Sequence, residues 1–141
     1  MMQIRDDISI RQELEEKART EPDRVYLIFE DVPVTVAEMN WRVNRLANGM
    51  AKLGLKQGDR VAVMLPNHPD HIYVFLACTK LGVIQVPVNA HLRGASLEYL
   101  IEHAEPRALI ADTIYTEQLL PALARLPPRS HQGPLQPQQS R

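Results

Sequence analysis

The sequence predicts an α/β protein whose core is a partial, mostly parallel, doubly wound sheet flanked by helices. Two short Val-rich runs, Arg60–Leu65 and Val83–Val88, are bounded by turn residues and are too short for helices. About 17 residues separate the runs, enough for a helical crossover and too many for a hairpin. The two strands are therefore expected to be parallel, with a right-handed connection. A third buried strand is predicted at Ala108–Ala111, after another helical segment.

An N-terminal helix and a hairpin precede this core. Ser9 can cap a helix from Ile10 to about Arg19. Val25–Phe29 and Val32–Val36 have strand composition and predict an antiparallel pair, in which Pro33 indicates an edge position. Thr35 could instead cap the next helix, because Glu38 stands three residues further on.

The strongest helical pattern runs from Ala37 to Leu53 and ends at Gly54. Apolar residues recur there at steps of three and four, which predicts one face packed on the core. Further helices are predicted at 69–81, capped by Asn67 or His68 and stopped by Gly82; at about 96–103, starting from Gly94 or Ser96; and at 113–126, interrupted by Pro121.

The last fifteen residues differ in character from the rest. Residues 127–141, PPRSHQGPLQPQQSR, contain four prolines, four glutamines, one aliphatic residue and no acid. Such a composition cannot bury enough apolar surface to form a packed element. We therefore expect an N-terminal subdomain at 1–126 and a disordered tail at 127–141. Because a doubly wound domain stops abruptly in such a tail, we expect a chain that is either truncated or read into foreign sequence.

Composition and charge exclude several classes of protein. A hydrophobic fraction of 45% and a charged fraction of 23% are ordinary for a globular chain of 141 residues. The net charge of −1 provides no basic field for nucleic acid or an anionic membrane. The single cysteine, Cys78, excludes an internal disulfide and a cysteine-rich zinc site. The apolar run Val74–Cys78 is far too short to span a bilayer, and the N-terminus MMQIRDD lacks the bases of a signal peptide, so we expect a cytoplasmic protein.

Polar residues follow each predicted parallel strand, where an open sheet binds its ligands. Asn67 and His68 follow the first strand, Asn89 and His91 the second, and Asp112-Thr113 the third. These side chains could form a polar rim for a ligand. The structural alternative is that Asn67 caps a helix and Asn89 shapes a loop.

The sequence contains neither of two common nucleotide-binding motifs. Gly49 to Lys56 loosely echoes a phosphate-binding loop, but Gly49 lies inside a predicted helix, and Leu55 and Gln57 stand where Lys and Ser/Thr are required. No GxGxxG occurs in the sequence. A nucleotide site built from this chain alone is not expected.

The remaining candidates also favour structural roles. His68 and His71 could share a metal ion, but the sequence supplies no third ligand at suitable spacing, because Asp70 points elsewhere on the helix. Cys78 is expected to be an inert core thiol, and Trp41 and Tyr73 are expected to pack on the core. No catalytic, cofactor-binding or metal-binding residue is assigned.

The stretch Val34–Leu92 resembles the N-terminal part of the adenylate-forming (AMP-forming) acyl-CoA synthetases, and the likeness extends over roughly Ile10–Leu126. The segment VPVNAHL is similar in particular to carnitine/crotonobetaine–CoA ligases and related enzymes. The matching positions are Thr35, Glu38, Arg45, Ala47, Leu53, Gly54, Gly58, Asp59, Val61, Asn67, Gly82, Pro87, Val88 and Asn89.

This resemblance implies a two-step ligase of fatty-acid or related metabolism. In the family, ATP and a carboxylic acid form an acyl-adenylate and pyrophosphate, with Mg²⁺ shielding the phosphates, and the CoA thiol then displaces AMP. The family's phosphate loop, acidic adenylate-site motifs and C-terminal lysine are absent from this sequence, so whether the chain is itself an enzyme stays open. ATP, Mg²⁺, CoA and the acid are implied only for the full-length family.

Two hypotheses follow from these observations. In the first, the chain is a truncated N-terminal portion of an acyl-CoA ligase and is inactive alone. In the second, it is a non-catalytic interaction domain with the same fold, and exposed apolar surface then favours a partner or self-association.

Overall fold

The computed structural model describes residues 9–126, which form five α-helices and five β-strands. The tail predicted at 127–141 lies outside these residues. The helices and strands alternate as the sequence predicts. Their bounds are α1 Ile10–Thr20, β1 Val25–Phe29, β2 Val32–Thr35, α2 Val36–Lys52, β3 Arg60–Met64, α3 Pro69–Leu81, β4 Ile84–Pro87, α4 Gly94–Ala104, β5 Ala108–Ala111 and α5 Thr116–Arg125.

The main sheet has three parallel strands in the order β4–β3–β5. Val61 on the central strand pairs with Gln85 on one side and with Ala108 on the other. The parallel, doubly wound α/β core predicted from the sequence is confirmed. One detail is corrected: β5 is half-buried rather than buried, because it is an edge strand within residues 9–126.

The central strand is covered on both faces, which explains its uninterrupted apolar sequence. Val61 and Val63 pack against α2 and α3 in a first core cluster. Ala62 and Met64 point the other way, into a second core cluster with α4 and α5. All four side chains are fully buried. The alternation of side chains along one strand therefore ties two helical layers to one sheet.

The hairpin β1–β2 is a separate antiparallel sheet, as predicted. Its turn residues Glu30 and Asp31 both have positive φ, 49° and 63°. Such values match the primed turns that connect twisted strands. The predicted end of the second strand at Val36 is wrong, because Thr35 ends the strand and its hydroxyl accepts a hydrogen bond from the backbone N–H of Glu38. Val36 is then the first residue of α2.

Most helix boundaries follow local chemistry. Ser9 and Gln12 form a capping box on α1, and His68 rather than Asn67 caps α3. Gly82 ends α3 in the left-handed conformation. The last predicted helix is divided, because residues Thr113–Tyr115 form a short 3₁₀ turn before α5, which contains Pro121.

A buried lysine joins the three helices on one side of the sheet. Lys80 on α3 donates from Nζ to Asn40 Oδ1 on α2 at 2.8 Å and to Glu15 Oε1 on α1 at 3.1 Å. Its side chain is only 6% exposed. Burial opposes the ionisation of Glu15, but the hydrogen bonds and charges of Lys80 and Arg11 outweigh it, and the pKa of Glu15 lies below its ordinary value.

None of the helices within residues 9–126 is both long enough and apolar enough to cross a bilayer.

Candidate functional site

The carboxyl ends of the three parallel strands lie together at one end of the sheet, which is where open α/β sheets bind ligands. The loops that start there carry Asn67 and His68 after β3, Asn89 and His91 after β4, and Asp112 with Thr113 after β5. Backbone hydrogen bonds continue the ladder into two of these loops, from Val88 N–H to Val63 O and from Asp112 N–H to Met64 O. The structure thus places the residues of the predicted polar rim together at the carboxyl end of the sheet.

The polar side chains at the carboxyl end of the sheet mostly form hydrogen bonds with nearby backbone N–H groups. Nδ1 of His68 accepts from Asp70 N–H at 3.2 Å, and Oδ1 of Asn89 accepts from His91 N–H at 2.9 Å. Asp112 likewise accepts from Ile114 N–H at 2.9 Å. These bonds cap a helix, close a turn and cap a 3₁₀ turn. The loop-shaping role of Asn89 is confirmed, whereas the capping role falls to His68.

The loops at the carboxyl end of the sheet do not form a phosphate-binding loop. The turn from β3 to α3 is Leu65-Pro66-Asn67-His68, with no glycine and with a histidine ring at the helix cap. A phosphate needs several converging backbone N–H groups, which glycines allow to approach closely. Gly49 lies within α2, which ends at Lys52, so the segment that loosely echoes a phosphate loop begins inside a helix and follows no strand. The described residues therefore do not fit a triphosphate.

His68, which caps α3, has an aromatic neighbour. The ring of His68 contacts Phe29 of the hairpin edge to face, with centroids 5.0 Å apart. Across residues 9–126, no three His, Cys, Asp or Glu side chains are grouped so as to hold a metal ion. The arrangement of His68 and His71 thus offers two ligands at most, fewer than a protein zinc site uses.

Cys78 occupies the first core cluster and is 2% exposed. Desolvation raises the pKa of its thiol to about 11. Because the thiolate is the nucleophile, this environment disfavours reaction. The position of Cys78 in the core is as predicted.

Trp41 corrects one expectation. Tyr73 is buried as predicted, but Trp41 is 56% exposed and does not pack in the core. The guanidinium of Arg45 stacks on the Trp41 ring, 4.6 Å from its centre, and that of Arg42 lies 5.4 Å from the centre of Tyr73. Position 41 lies on α2 away from the helix's buried stripe of Met39, Val43, Ala47 and Met50.

Gln118 is the residue that sequence reasoning missed. From α5, its Nε2 donates to the carbonyl oxygens of Leu92 at 2.7 Å and Ala90 at 3.1 Å. It thus holds the loop after β4 against the start of α5. A glutamine within a helix has no distinctive sequence signal, because the type is also common on helix surfaces.

Comparison with known proteins places this geometry among its relatives. A family model described as AMP-binding enzyme matches residues 14–138, which reaches beyond Leu126 into the predicted tail. The chain is 34% identical over 107 residues to crotonobetaine/carnitine–CoA ligases of Salmonella paratyphi A and Salmonella typhimurium. These matches cover 72% of this chain but only 21% of each relative, so the chain spans about a fifth of their length.

Solved structures show the same similarity. A Rhodopseudomonas palustris protein described as a long-chain-fatty-acid CoA ligase has a TM-score of 0.79 at 27% identity, over 86% of this chain and 31% of that one. The N-terminal subdomain of Klebsiella oxytoca NpsA with anthranilyl-AMSN has a TM-score of 0.70 at 29% identity, over 75% and 28%. The o-succinylbenzoate CoA synthetase of Bacillus subtilis with AMP has a TM-score of 0.69 at 30% identity, over 75% and 28%.

Proposed function

Because the chain belongs to the AMP-binding enzyme family, we propose that it is the N-terminal portion of an ATP-dependent acyl-CoA ligase. The observation that carries this proposal is the match to crotonobetaine/carnitine–CoA ligases over 107 residues, together with the likeness to solved CoA ligases. In the proposed reaction of the longer protein, a carboxylic acid and ATP give an acyl-adenylate and pyrophosphate. The CoA thiol then attacks the acyl group of the adenylate, which forms acyl-CoA and releases AMP. Mg²⁺ would shield the phosphates of ATP in the first step. A cytoplasmic setting in fatty-acid or related carboxylic acid metabolism is part of the proposal.

The chain's own contribution is scaffolding. Its β3–α3–β4 unit supplies a buried parallel core, and its strand-end loops lack a phosphate cradle. We therefore assign no step of the reaction to residues 9–126, and the proposal is that the 141-residue chain is inactive alone, as residues 1–126 of a ligase subdomain followed by a disordered tail.

An ATP–pyrophosphate exchange assay tests inactivity. The purified chain is assayed with Mg²⁺ and a panel of short-chain, carnitine-like and fatty acids. No exchange above a protein-free blank is expected, and sustained turnover that follows the chain through purification would contradict the proposal.

A chimera tests the family role. Residues 9–126 replace the matched portion of the Salmonella typhimurium ligase, and acyl-CoA formation is measured. Retention of activity is expected, whereas a Met64→Asp version, with a charge in the second core cluster, should lose it. A folded chimera without activity would count against the proposal.

The second candidate is an interaction domain that uses the same fold without catalysis. The exposed Trp41, beside Arg45, is the observation in its favour. It predicts an oligomer or a monomer that binds a hydrophobic dye. A monodisperse chain that binds no dye would argue against it.

A further inference from the structure

His68 lies where three parts of the fold meet. It follows β3, it is the N-cap residue of α3, and its ring contacts Phe29 of the hairpin. Its side chain is 44% exposed, so protons from solvent reach the ring. Histidine is the side chain whose charge ordinarily changes between about pH 5 and 8. A titratable group therefore joins the β3–α3 turn to the hairpin.

Nδ1 of His68 lies within hydrogen-bond distance of two groups with opposite requirements. The backbone N–H of Asp70 is a donor, and its nitrogen is 3.2 Å from Nδ1. The carboxylate oxygen Oδ2 of Asp70 is an acceptor, 3.1 Å from Nδ1. An imidazole nitrogen accepts when it has no proton and donates when it has one. Nδ1 can therefore bond to one of these groups in each protonation state, but not to both.

The neutral ring caps the helix. Pro69, the first residue of α3, has no N–H, so the N–H of Asp70 is the first in the helix that needs a partner. Nδ1 of His68 accepts from it, which requires the tautomer with its proton on Nε2. The lone pair of Nδ1 repels the carboxylate of Asp70, and that side chain is 60% exposed, so water can solvate it instead.

The protonated ring cannot keep this cap. Nδ1 then carries a hydrogen and donates it to Oδ2 of Asp70 in a charge-assisted hydrogen bond, while the N–H of Asp70 loses its acceptor. The positive end of the helix dipole also repels an imidazolium. Both effects favour movement of the ring away from the end of α3 and toward the carboxylate.

The hairpin and α3 carry the neighbouring titratable groups in the sequence. Glu30 and Asp31 follow Phe29 in the hairpin turn, and both are acids. His71 lies beside Asp70 in the first turn of α3. The acids of the hairpin attract an imidazolium, so they do not oppose the protonated state of His68.

Charged groups of α2 approach Asp70 from another side. Arg42 and Arg45 line a groove together with Asp70, and Arg42 is paired with Glu38. Within residues 9–126, neither arginine forms an ion pair with Asp70. The carboxylate of Asp70 is therefore available to His68.

The contact with Phe29 transmits movement of the ring to the hairpin. The two ring centroids are 5.0 Å apart, and the ring planes are 75° apart. Such edge-to-face contacts depend on the orientation of both rings. A ring that turns from the backbone N–H toward the carboxylate changes this geometry.

We propose that His68 is a pH-sensitive switch at the carboxyl end of the sheet. When neutral, it caps α3 through Nδ1 and packs on Phe29. When it takes a proton from solvent, it exchanges the backbone N–H of Asp70 for the carboxylate of Asp70, and the first turn of α3 and the turn end of the hairpin loosen. Acid thus changes the end at which open α/β sheets bind ligands. The switch does not depend on the proposed function.

The test is an NMR titration of the full, ¹⁵N-labelled chain from about pH 8 to about pH 5. At the alkaline end, Nδ1 of His68 should resonate as an unprotonated nitrogen. The amide of Asp70 should shift together with the His68 ring, and its protection against exchange, corrected for the intrinsic rate, should fall about fivefold as the cap is lost. The nuclear Overhauser contact between His68 and Phe29 should weaken over the same range.

Variants identify the groups involved. His68→Asn keeps a capping side chain that does not titrate, so the Asp70 amide should neither shift nor lose protection in acid. Asp70→Ala removes the acceptor of the charged ring, so the slowly exchanging Nδ1–H signal expected for the parent in acid should disappear. A His68→Asn variant that does not fold is replaced by His68→Ser, which can also cap.

Two histidine variants serve as matched controls. His71→Gln removes the other histidine of the same helical turn. His103→Gln removes a histidine that also contacts an aromatic ring, that of Tyr99 on α4, with centroids 5.6 Å apart. The transition at the Asp70 amide should persist unchanged in both.

Several results would overturn the proposal. Protonated Nδ1 at the alkaline end would exclude the cap. An Asp70 amide that stays constant while His68 titrates would exclude the exchange of partners. The same transition in His68→Asn would assign it to another group, and an undiminished contact between His68 and Phe29 in acid would exclude the loosening of the hairpin.

Discussion

At the scale of single residues, Gly82 links the end of α3 to the start of the sheet. Its φ is +68°, and an added Cβ would lie 2.9 Å from Cγ of Gln57. Its carbonyl accepts from Gly58 N–H at 2.9 Å. Glycine adopts this left-handed conformation without steric penalty, whereas other residues are strained there. The sequence predicts the stop at Gly82, but the close approach of Gln57 depends on the tertiary fold.

The variant Gly82→Ala should lower the free energy of unfolding by about 2 kcal/mol, from backbone strain and the contact with Gln57. Gly94→Ala is the matched control. Gly94 also has positive φ, +51°, but open space around its Cβ, so a loss of about 1 kcal/mol is expected. Urea denaturation followed by circular dichroism measures both. Equal losses would show that the Gln57 contact carries no energy.

At the scale of elements, Lys80 shows how three helices are fastened across the first core cluster. Its ammonium group reaches α1 and α2 from α3, and its side chain is almost fully buried. A buried ammonium requires such partners, because an unpaired one would be strongly desolvated. Lys17, by contrast, pairs with Glu21 four residues away and is 38% exposed. Only the contacts of Lys80 join residues that are distant in the sequence and therefore depend on tertiary structure.

Replacing Lys80 by Met keeps the aliphatic stem but leaves Asn40 without this donor and Glu15 with Arg11 as its remaining donor, so a loss of about 1–3 kcal/mol in stability is expected. Lys17→Met should change stability by no more than about 0.5 kcal/mol. Thermal denaturation of both variants at pH 7 measures the difference. If both variants lost equally little stability, the contacts of Lys80 would not stabilise the fold more than an exposed ion pair does.

The same contact has a pH dependence. Because the pKa of Glu15 in the folded chain lies below its ordinary value of 4.5, its contribution is present above pH 4.5 and is lost as the pH falls through the folded pKa. The carboxylate is 43% exposed, so screening limits this contribution to about 1 kcal/mol or less. Glu15→Gln should therefore flatten the stability profile in acid.

At the scale of the whole molecule, one central strand unites the two core clusters. Val63 belongs to the first cluster and Met64 to the second, although they are neighbours in the chain. Loss of packing on either face removes support from the strand that both faces share. The molecule should therefore unfold as one cooperative unit.

Met64→Ala tests this coupling. Removal of a fully buried methionine should cost about 2–5 kcal/mol. Amides of α2, in the other cluster, should lose the same protection against hydrogen exchange as those of α4. Leu120→Ala is the control, because Leu120 is 60% exposed, and little change is expected. Loss of protection confined to α4 and α5 would mean that the clusters unfold independently.

The sequence by itself determined the elements and their parallel arrangement. Periodicity, turn residues and caps are local signals, so Arg60–Met64, Pro69–Leu81 and Gly82 emerge close to their observed bounds. The length of the connection required a parallel pair. The ordered motif around Gly58–Asn89 also indicated the family to which the chain belongs.

Only the tertiary structure decided how surfaces and long-range polar contacts are distributed. The exposure of Trp41, the burial of Lys80 and the reach of Gln118 to Leu92 depend on distant parts of the chain, and no local pattern encodes them. The edge position of β5 likewise depends on strand order, because a four-residue apolar run has the same sequence at an edge or in the centre.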